Sequence, residues 1–376
     1  MSWFVCCWLC LPLATLYVLS QMYLTFQIKP SPRSKQREFC FSPSVLKMNL
    51  WLLLSALAEW RYSCPDLCSC SVHLSEVICS RSSLTHFPVD GLSPNTMRLS
   101  IQSTGLANVT AGHLSVVPHL NYLQLYHNNL TSLPSDLLKG VPFLNTLDLT
   151  GNQLVHLPPD IFSHASLHNL VLMNNRIEKV DAEWFSVNSS LISLDLSGNR
   201  LTGVPSALLR KLSHLQSLDL SDNNLQELQA DALTNLHHLE MLNLAGNKLT
   251  SLKPATFTHN LKLSNLFLQE NHLRDLPATL LRGLRHLELL LLNHNQLQCL
   301  PSGFLDEGGS SFQVMLAGNP WVCDEKIEFL KKWLTVHPHN VVFLATVTCA
   351  GPEALKHRQV ASLTDSELGL QKLEMG

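Results

Sequence analysis

The stretch LDLSGNRLTGVP, residues 194–205, places one asparagine, Asn199, at a fixed point among leucines. The same pattern returns about every 24 residues, in stretches such as LDLTGNQLVHLP and LNLAGNKLTSL. The aligned residues are Asn128, Asn152, Asn175, Asn199, Asn223, Asn247, Asn271, Asn295 and Asn319, with Thr104 in the equivalent place one period before Asn128. This spacing indicates an array of internal repeats.

Strand geometry explains the leucines. In L-x-L, Leu194 and Leu196 point to one side of a short strand, while Ser193, Asp195 and Ser197 point to the other. A single repeat buries too little apolar surface to offset the entropy of ordering its backbone, so neighbouring repeats must stack into a solenoid. Repeats of about 20–29 residues reading L-x-x-L-x-L-x-x-N-x-L are leucine-rich repeats.

The repeated asparagine is predicted to be structural. After each strand the chain turns within one layer, and its inward backbone groups lose their ladder partners, which is costly when they are buried. An asparagine amide offers both a donor and an acceptor. We expect stacked asparagines to satisfy these groups, and the Thr104 hydroxyl to do part of the same work.

Composition argues against several function classes. Residues 1–47 hold five of the 26 basic residues and one of the 29 acidic residues. The rest of the chain therefore has 21 basic and 28 acidic residues and a net charge of −7. No basic stripe remains, so nucleic acid is not an expected partner.

Catalytic motifs are not found in the sequence. The chain has 18 histidines but neither His-Glu-x-x-His nor Gly-x-Ser-x-Gly. LHHLE, residues 236–240, has a spacing poorly suited to holding a metal from one helical face. We predict scattered histidines in convex-side loops, no enzyme activity, no metal or cofactor, and no small-molecule substrate.

Two apolar segments precede the repeats. Residues 3–28 are long enough to span a bilayer, and MNLWLLLSALA starts at Met48 and ends in an A-x-A-like cleavage site. We expect 48–58 to be a signal peptide cleaved near Ala58 and 1–47 to be an upstream extension. The alternative is a membrane anchor at 3–28 with a cytoplasmic basic loop at 29–47. Both place the repeats in the secretory pathway, and without an apolar C-terminal tail the product is expected to be soluble and secreted.

Seven cysteines follow that segment. Four form a C-x3-C-x-C-x8-C cluster at residues 64–79, which would suit zinc or disulfides, and a secreted chain favours a disulfide cap with three possible pairings. Near the other end, Cys323–Cys349 would staple an amphipathic helix, in which Ile327, Leu330 and Leu334 share one face, over the last strand. Cys299 is expected to be a buried free thiol. The domains expected are an N-terminal cap at 59–91, about nine repeats at 92–311 and a C-terminal cap at 312–376.

The caps carry a family resemblance. CPDLCSC and NPWVCD resemble the two ends of the extracellular leucine-rich-repeat superfamily. Glu325 stands where that superfamily usually has a second cysteine, and GNPWVCDEKIEFLKKWL with CAGPEALKHRQV is similar to caps of the leucine-rich alpha-2-glycoprotein type of secreted plasma protein. The resemblance implies Cys64–Cys70 and Cys68–Cys79 disulfides, and ligand binding outside cells in growth-factor signalling of the transforming growth factor beta class.

Three sequons begin at Asn108, Asn129 and Asn188. In a secreted chain each is a predicted glycosylation site. Access at Asn129 is expected to be poor because the residue adjoins the rung residue Asn128.

The expected fold is an α/β leucine-rich-repeat solenoid, a curved horseshoe with a parallel sheet on its concave face and disulfide-stapled caps. Aspartate and serine are the usual solvated residues on that face, so Asp148, Asp195 and Asp219 are read as a solvated surface. Large apolar residues there predict interaction sites. One predicted patch, Met241, Phe267, Leu289 and Leu291, lies near the C-terminal end, and a second lies near the N-terminal end, at Tyr122, Tyr126 and Met173. The alternative is that the cap or a loop covers the first patch.

Three function classes follow. The first is a secreted module that binds an extracellular growth factor or receptor and modulates signalling. The second is a matrix protein of the small leucine-rich proteoglycan type that binds collagen, and the third is a membrane-anchored receptor ectodomain.

Overall fold

Twelve short strands form one sheet in the computed structural model, which describes residues 64–71, 73, 75–187, 189–308 and 312–370. The strands follow one another across the sheet in chain order. They are β1 (Cys68–Ser71), β2 (Glu76–Cys79), β3 (Arg98–Ile101), β4 (Tyr122–Gln124), β5 (Thr146–Asp148), β6 (Asn169–Val171), β7 (Ser193–Asp195), β8 (Ser217–Asp219), β9 (Met241–Asn243), β10 (Asn265–Phe267), β11 (Leu289–Leu291) and β12 (Gln313–Met315).

The pairing of the strands preserves the repeat register. β1 and β2 are antiparallel, with Cys68 opposite Cys79, and every later pair is parallel. Ser193 of β7 lies opposite Ser217 of β8, one period away, and Asp195 lies opposite Asp219. Equivalent positions of successive repeats therefore lie side by side in rows across the sheet.

The core runs along the inner side of the sheet. Leu194 and Leu196 have no exposed surface, and neither do their counterparts, such as Leu218 and Leu220. Turns and brief helices close the far side of each repeat. Trp184 and Phe162 are among the largest side chains buried there. This confirms the leucine-rich-repeat fold, although its helical component is small.

The helical segments are short. The α-helices are Ala111–Leu114, Ser206–Leu209 and Glu328–Val336. The 3₁₀ segments are Leu137–Gly140, Ala182–Trp184, Asp306–Gly308, Glu325–Ile327, Pro338–Asn340, Leu344–Thr346, Glu353–Leu355 and Val360–Ser362.

The asparagines form a buried hydrogen-bonded column. Asn199 donates from Nδ2 to the carbonyl of Leu172 in the preceding repeat at 2.9 Å, and to Leu196 at 3.0 Å. Its Oδ1 accepts from the amide of Ile177, also in the preceding repeat, at 3.0 Å. At the first rung, the Thr104 hydroxyl donates to Asn128 Oδ1 at 2.6 Å. Each amide thus links its own repeat to the one before it.

The residue immediately before each rung adopts the left-handed backbone conformation. Positive φ angles occur at Ser103, His127, Gly151, Asn174, Gly198, Asp222, Gly246, Glu270, His294 and Gly318. A Cβ added to Gly198 would lie 2.1 Å from Asn174 Oδ1, and one added to Gly246 would lie 2.2 Å from Asp222 Oδ1. Most side chains in this column therefore occupy space that a glycine in the next repeat leaves free.

Disulfides close both caps. Cys64 is joined to Cys70 and Cys68 to Cys79, which is the pairing that the family resemblance implied. Cys323 is joined to Cys349 across the small parallel sheet of β13 (Trp321–Val322) and β14 (Cys349–Gly351). The helix Glu328–Val336 buries Leu330, Trp333 and Leu334, and the Trp333 ring lies 6.3 Å from that of Phe312.

Two details differ from expectation at the C-terminal end. Strand β12 continues the large sheet although the cap was expected to begin at residue 312. Cys299 is half-buried rather than buried, because it precedes the inward-facing Leu300 instead of occupying an inward position itself.

Several predictions concern other parts of the chain. The predicted signal peptide, the predicted N-terminal extension and the sequon at Asn188 lie outside the described residues. Asn108 and Asn129 are both exposed, so their predicted glycosylation is sterically open at the side chain. Among the described residues, none belongs to a helix with the length and apolarity needed to cross a membrane.

Replacing the amide of one rung tests the column. Asn199→Ala leaves the buried amide of Ile177 without its partner and removes one of two donors from each of three carbonyls. We expect a loss of about 1–3 kcal/mol in the free energy of unfolding, the cost of one unsatisfied buried group. Urea unfolding measures it. Thr202→Ala, at an exposed position three residues away, is the control, and equal stability of the two variants would refute the structural role.

Candidate functional site

The side of the sheet that faces away from the core, hereafter the open face, carries two rows of strand side chains. The first row holds Arg98, Tyr122, Thr146, Asn169, Ser193, Ser217, Met241, Asn265, Leu289 and Gln313. The second row holds Ser100, Gln124, Asp148, Val171, Asp195, Asp219, Asn243, Phe267, Leu291 and Met315. This is the register expected for the predicted concave face.

The predicted C-terminal patch is continuous along the second row. Phe267 lies opposite Leu291, and Leu291 lies opposite Met315. Met241 and Leu289 flank Asn265 in the first row. We call Met241, Phe267, Leu289, Leu291 and Met315 the apolar patch. All five are half-buried, so a partner can reach them.

Met315 was not predicted to belong to the patch, although its stretch, VMLAGN, has the repeat register. Residues from 312 onward had been assigned to the C-terminal cap. The structure shows that the repeat pattern, taken one period further, identifies this residue.

The C-terminal cap adjoins the patch at the sheet edge. Val341 forms a parallel bridge with Val314, and the amide of Val342 donates to the Val314 carbonyl at 2.9 Å. The cap segment therefore continues the sheet beyond β12. The five patch residues stay half-exposed beside it, so the expected alternative of a covering cap does not describe this face.

The predicted N-terminal patch is not brought together. The Arg98 guanidinium lies over the Tyr122 ring, 4.1 Å from its centroid. Tyr126 meets the edge of the His127 ring, with 5.6 Å between centroids. Met173, 37% exposed, lies two repeats beyond Tyr126, with a threonine between them. The prediction of one apolar cluster here was wrong, because polar neighbours separate its members.

The third outward position is buried in four of the repeats. Ser197, Ser221, Ala245 and Asn293 are all buried. The chain bends here, beyond the last strand residue, and the Ser197 hydroxyl donates to Asp195 at 2.6 Å. Ser221 donates in the same way to Asp219, also at 2.6 Å. These serines orient the aspartates instead of forming part of the outer surface.

The aspartates are half-buried and crowded. Asp195 lies directly opposite Asp219 in neighbouring strands. Burial raises the pKa of the Asp195 carboxyl above its ordinary value, and the charges of Asp219 and Asp148 raise it further against the opposing hydrogen bonds from Ser197. The second row therefore carries a carboxylate whose ionisation is disfavoured, in contrast to the freely solvated surface expected from sequence.

Side grooves form another possible site. His168, His214 and His238 line a groove of about 280 Å³ just before the strands, and the His214 and His238 rings stack 6.3 Å apart. Histidines were predicted in convex-side loops, whereas these three line a groove at the start of the strands. No group of three or more histidine, cysteine or acidic side chains in the described ranges could hold a metal ion.

The crowding of Asp195 has a measurable consequence. A raised pKa means that ionisation disfavours the folded state, so stability is lost as the pH rises through the folded-state pKa. Asp195→Asn keeps an oxygen acceptor for Ser197 but removes the charge. Because it also creates an Asn-Leu-Ser sequon, the parent and the variant are produced in the bacterial periplasm, where disulfides form and no N-glycan is added. We expect it to be more stable than the parent by about 0.2–1 kcal/mol at about pH 7, and equal to it near pH 3.

Thermal unfolding at the two pH values measures this difference. Asp231→Asn, at an exposed position outside the sheet, is the control and is expected to change little at either pH. If Asp195→Asn were less stable than the parent at neutral pH, ionised Asp195 would not be unfavourable in the folded state.

Comparison with curated proteins finds relatives that share part of the repeats. A 68-residue stretch is 35% identical to carboxypeptidase N subunit 2 of Mus musculus, covering 18% of this chain and 12% of that protein. An 84-residue stretch is 32% identical to leucine-rich repeat-containing protein 4 of Homo sapiens, covering 21% of this chain and 13% of that protein. The matches thus span about one eighth of these relatives' length.

Solved structures match over most of the chain. A chain in the octameric complex of Latrophilin 3, Unc5D and FLRT2, the last contributing a leucine-rich-repeat domain, aligns with a TM-score of 0.69 at 25% identity, over 82% of this chain and all of that one. Human 5T4, a trophoblast glycoprotein, aligns with a TM-score of 0.53 at 28% identity, over 82% of this chain and 99% of that one.

Family comparison completes the assignment. The leucine rich repeat family matches residues 94–164, 165–225, 190–249, 213–273 and 245–297, and the leucine rich repeat C-terminal domain matches 346–369. The repeat matches together span more than half of the chain. Repeats, rungs and cap thus agree with the comparison, and the chain belongs to the leucine-rich-repeat family.

Proposed function

We propose that this chain is a secreted glycoprotein that binds an extracellular protein through its open face and thereby modulates growth-factor signalling. The observation that carries the proposal is the apolar patch. Phe267, Leu291 and Met315 form an uninterrupted apolar line on a sheet whose other outward residues are mainly polar. Accessible apolar clusters that include an aromatic residue are typical of protein-binding sites.

The scaffold supports this role. Four patch residues lie on strands paired on both sides, and Met315 lies on the last strand, β12, whose outer side is bridged to Val341, so little conformational entropy is lost when a partner docks. Disulfides at both ends suit an oxidising, extracellular setting. The structurally similar FLRT2 complex contains Latrophilin 3 and Unc5D, and by analogy a protein partner suits this chain.

The signalling class comes from the C-terminal cap. Its sequence is similar to caps of leucine-rich alpha-2-glycoprotein, and that likeness favours a growth factor or receptor of the transforming growth factor beta class as the partner. Collagen is the partner expected for the matrix alternative.

Whether the chain is released or held in a membrane depends on its N-terminal segment and can be tested directly. Residues 3–28 are apolar enough to hold the chain in a membrane as a receptor ectodomain. Cleavage near Ala58 would instead release a protein whose first residue is near Glu59. N-terminal sequencing of the protein from the culture medium and from the membrane fraction distinguishes the two. A first residue near Glu59 in the medium supports release, and membrane-fraction protein that begins at residue 1 supports the anchored form.

Phe267→Asp and Leu291→Asp test the binding site. A carboxylate in the apolar patch cannot be desolvated without cost, so we expect each variant to be secreted normally and to bind at least about tenfold more weakly. The probes are a purified growth factor of the transforming growth factor beta class, its receptor ectodomains and fibrillar collagen. Surface plasmon resonance on the immobilised protein measures affinity.

Matched controls are available away from the open face. Phe143 and Leu261 are 62% and 51% exposed, and neither lies on a strand of the sheet. Phe143→Asp and Leu261→Asp introduce the same charge and should leave binding intact. Unchanged affinity of the two patch variants would remove the open face as the site. Retention of collagen alone would replace signalling with the matrix role.

A further inference from the structure

The second row of the open face changes character along its length. Asp195 and Asp219 are adjacent in it, Asn243 follows, and Phe267 and Leu291 come next. Neighbouring strands are about 4.8 Å apart. Asp219 is therefore about 10 Å from Phe267 and about 14 Å from Leu291 along the row. An acidic pair and an apolar patch thus share one line on one rigid surface.

The acidic pair lacks an opposing charge. Among the described residues, seven ion pairs are found, and none includes Asp148, Asp195 or Asp219. One oxygen of Asp195 accepts the Ser197 amide at 2.8 Å and its hydroxyl at 2.6 Å. These bonds orient the carboxylate without neutralising it.

Asp219 is held in the same way. Its Oδ1 accepts the Ser221 amide at 2.9 Å and the hydroxyl at 2.6 Å, and its Oδ2 accepts Asn243 Nδ2 at 2.8 Å. All of these donors are neutral. Because two carboxylates opposite each other repel, the site is electrostatically complementary to a cation.

We propose that the partner of the open face is a cationic protein segment that places a lysine or arginine on Asp195 and Asp219 and an apolar side chain on Phe267 and Leu291. The inference rests on the proposed function, to which it adds the chemistry of the partner. A second copy of this chain fits less well, since the net charge beyond residue 47 is −7. The segment must separate its basic and apolar groups by about 10–19 Å.

Selection from a displayed library of random twelve-residue peptides tests the proposal. Twelve residues reach about 40 Å when extended and about 18 Å as a helix, so either form can span the two groups. Panning against the immobilised protein should enrich peptides that combine lysine or arginine with aromatic or aliphatic residues. A selected peptide, made synthetically, should bind Asp195→Asn/Asp219→Asn at least about tenfold more weakly. Because both substitutions create Asn-Leu-Ser sequons, the parent and all variants are produced in the bacterial periplasm, where disulfides form and no N-glycan is added.

The control double variant is Asp231→Asn/Asp275→Asn, which removes the same charge from exposed positions outside the sheet. Affinity for the selected peptide should be unchanged in it. Binding to the parent should also weaken steadily between about 50 and 500 mM salt, as screening of a charge contact requires.

Phe267→Asp/Leu291→Asp separates this inference from the proposed function. If that variant loses the peptide while Asp195→Asn/Asp219→Asn retains it, the open face is the site but the cationic partner is refuted. Peptides without basic residues, or no enrichment over panning on Phe267→Asp/Leu291→Asp, would likewise overturn the inference. If both variants retain the peptide, the open face is not the site and the proposed function falls as well.

Discussion

A buried side-chain amide ties each repeat to its predecessor, and the remaining architecture depends on that contact. The strands contain three or four residues, too few for their backbone bonds alone to set the geometry of a long stack. The amide of Asn223 reaches the carbonyl of Leu196 and the amide of Leu201, both in the repeat before it. The buried backbone groups of one repeat are thus fully hydrogen-bonded only when the next repeat is present. This couples neighbouring repeats without exposing those groups to solvent.

This coupling also explains the functional surface. Because every rung holds the same register, outward side chains from distant parts of the sequence fall into straight rows. Residues such as Asp219 and Phe267, 48 positions apart in the chain, become near neighbours on a rigid support. Each repeat thus contributes one side chain to each of the two rows of the open face.

Much of this arrangement could be predicted from sequence because it follows from periodicity. The 24-residue spacing determines the rungs, the inward leucines and the order of the rows, and strand pairing bears them out. Interactions that break the period were harder to see. Arg98 covers Tyr122 only because β3 and β4 are neighbours, and Ser197 turns inward because the chain bends after β7. These depend on tertiary contacts that one repeat's pattern does not encode.

Several residues on the open face are unfavourable for the stability of the free protein. Desolvated, mutually repelling carboxylates and accessible leucines each reduce the stability of an isolated protein. A fold stabilised by a continuous leucine core and two disulfide-closed caps tolerates such residues. Residues that are unfavourable for the free chain are those that a partner would satisfy, which is the usual relation between stability and function at binding surfaces.

The left-handed column before the rungs has a consequence for the ancestry and engineering of the array. From His127 to Gly246, residues with side chains alternate with glycines, and each glycine leaves room for the side chain in the preceding repeat. The geometric unit of this stretch is therefore a pair of repeats. Excising or duplicating a pair would preserve the alternation, whereas a single repeat would set two side chains, or two glycines, next to each other. Adding or removing repeats two at a time therefore causes fewer steric clashes in this stretch.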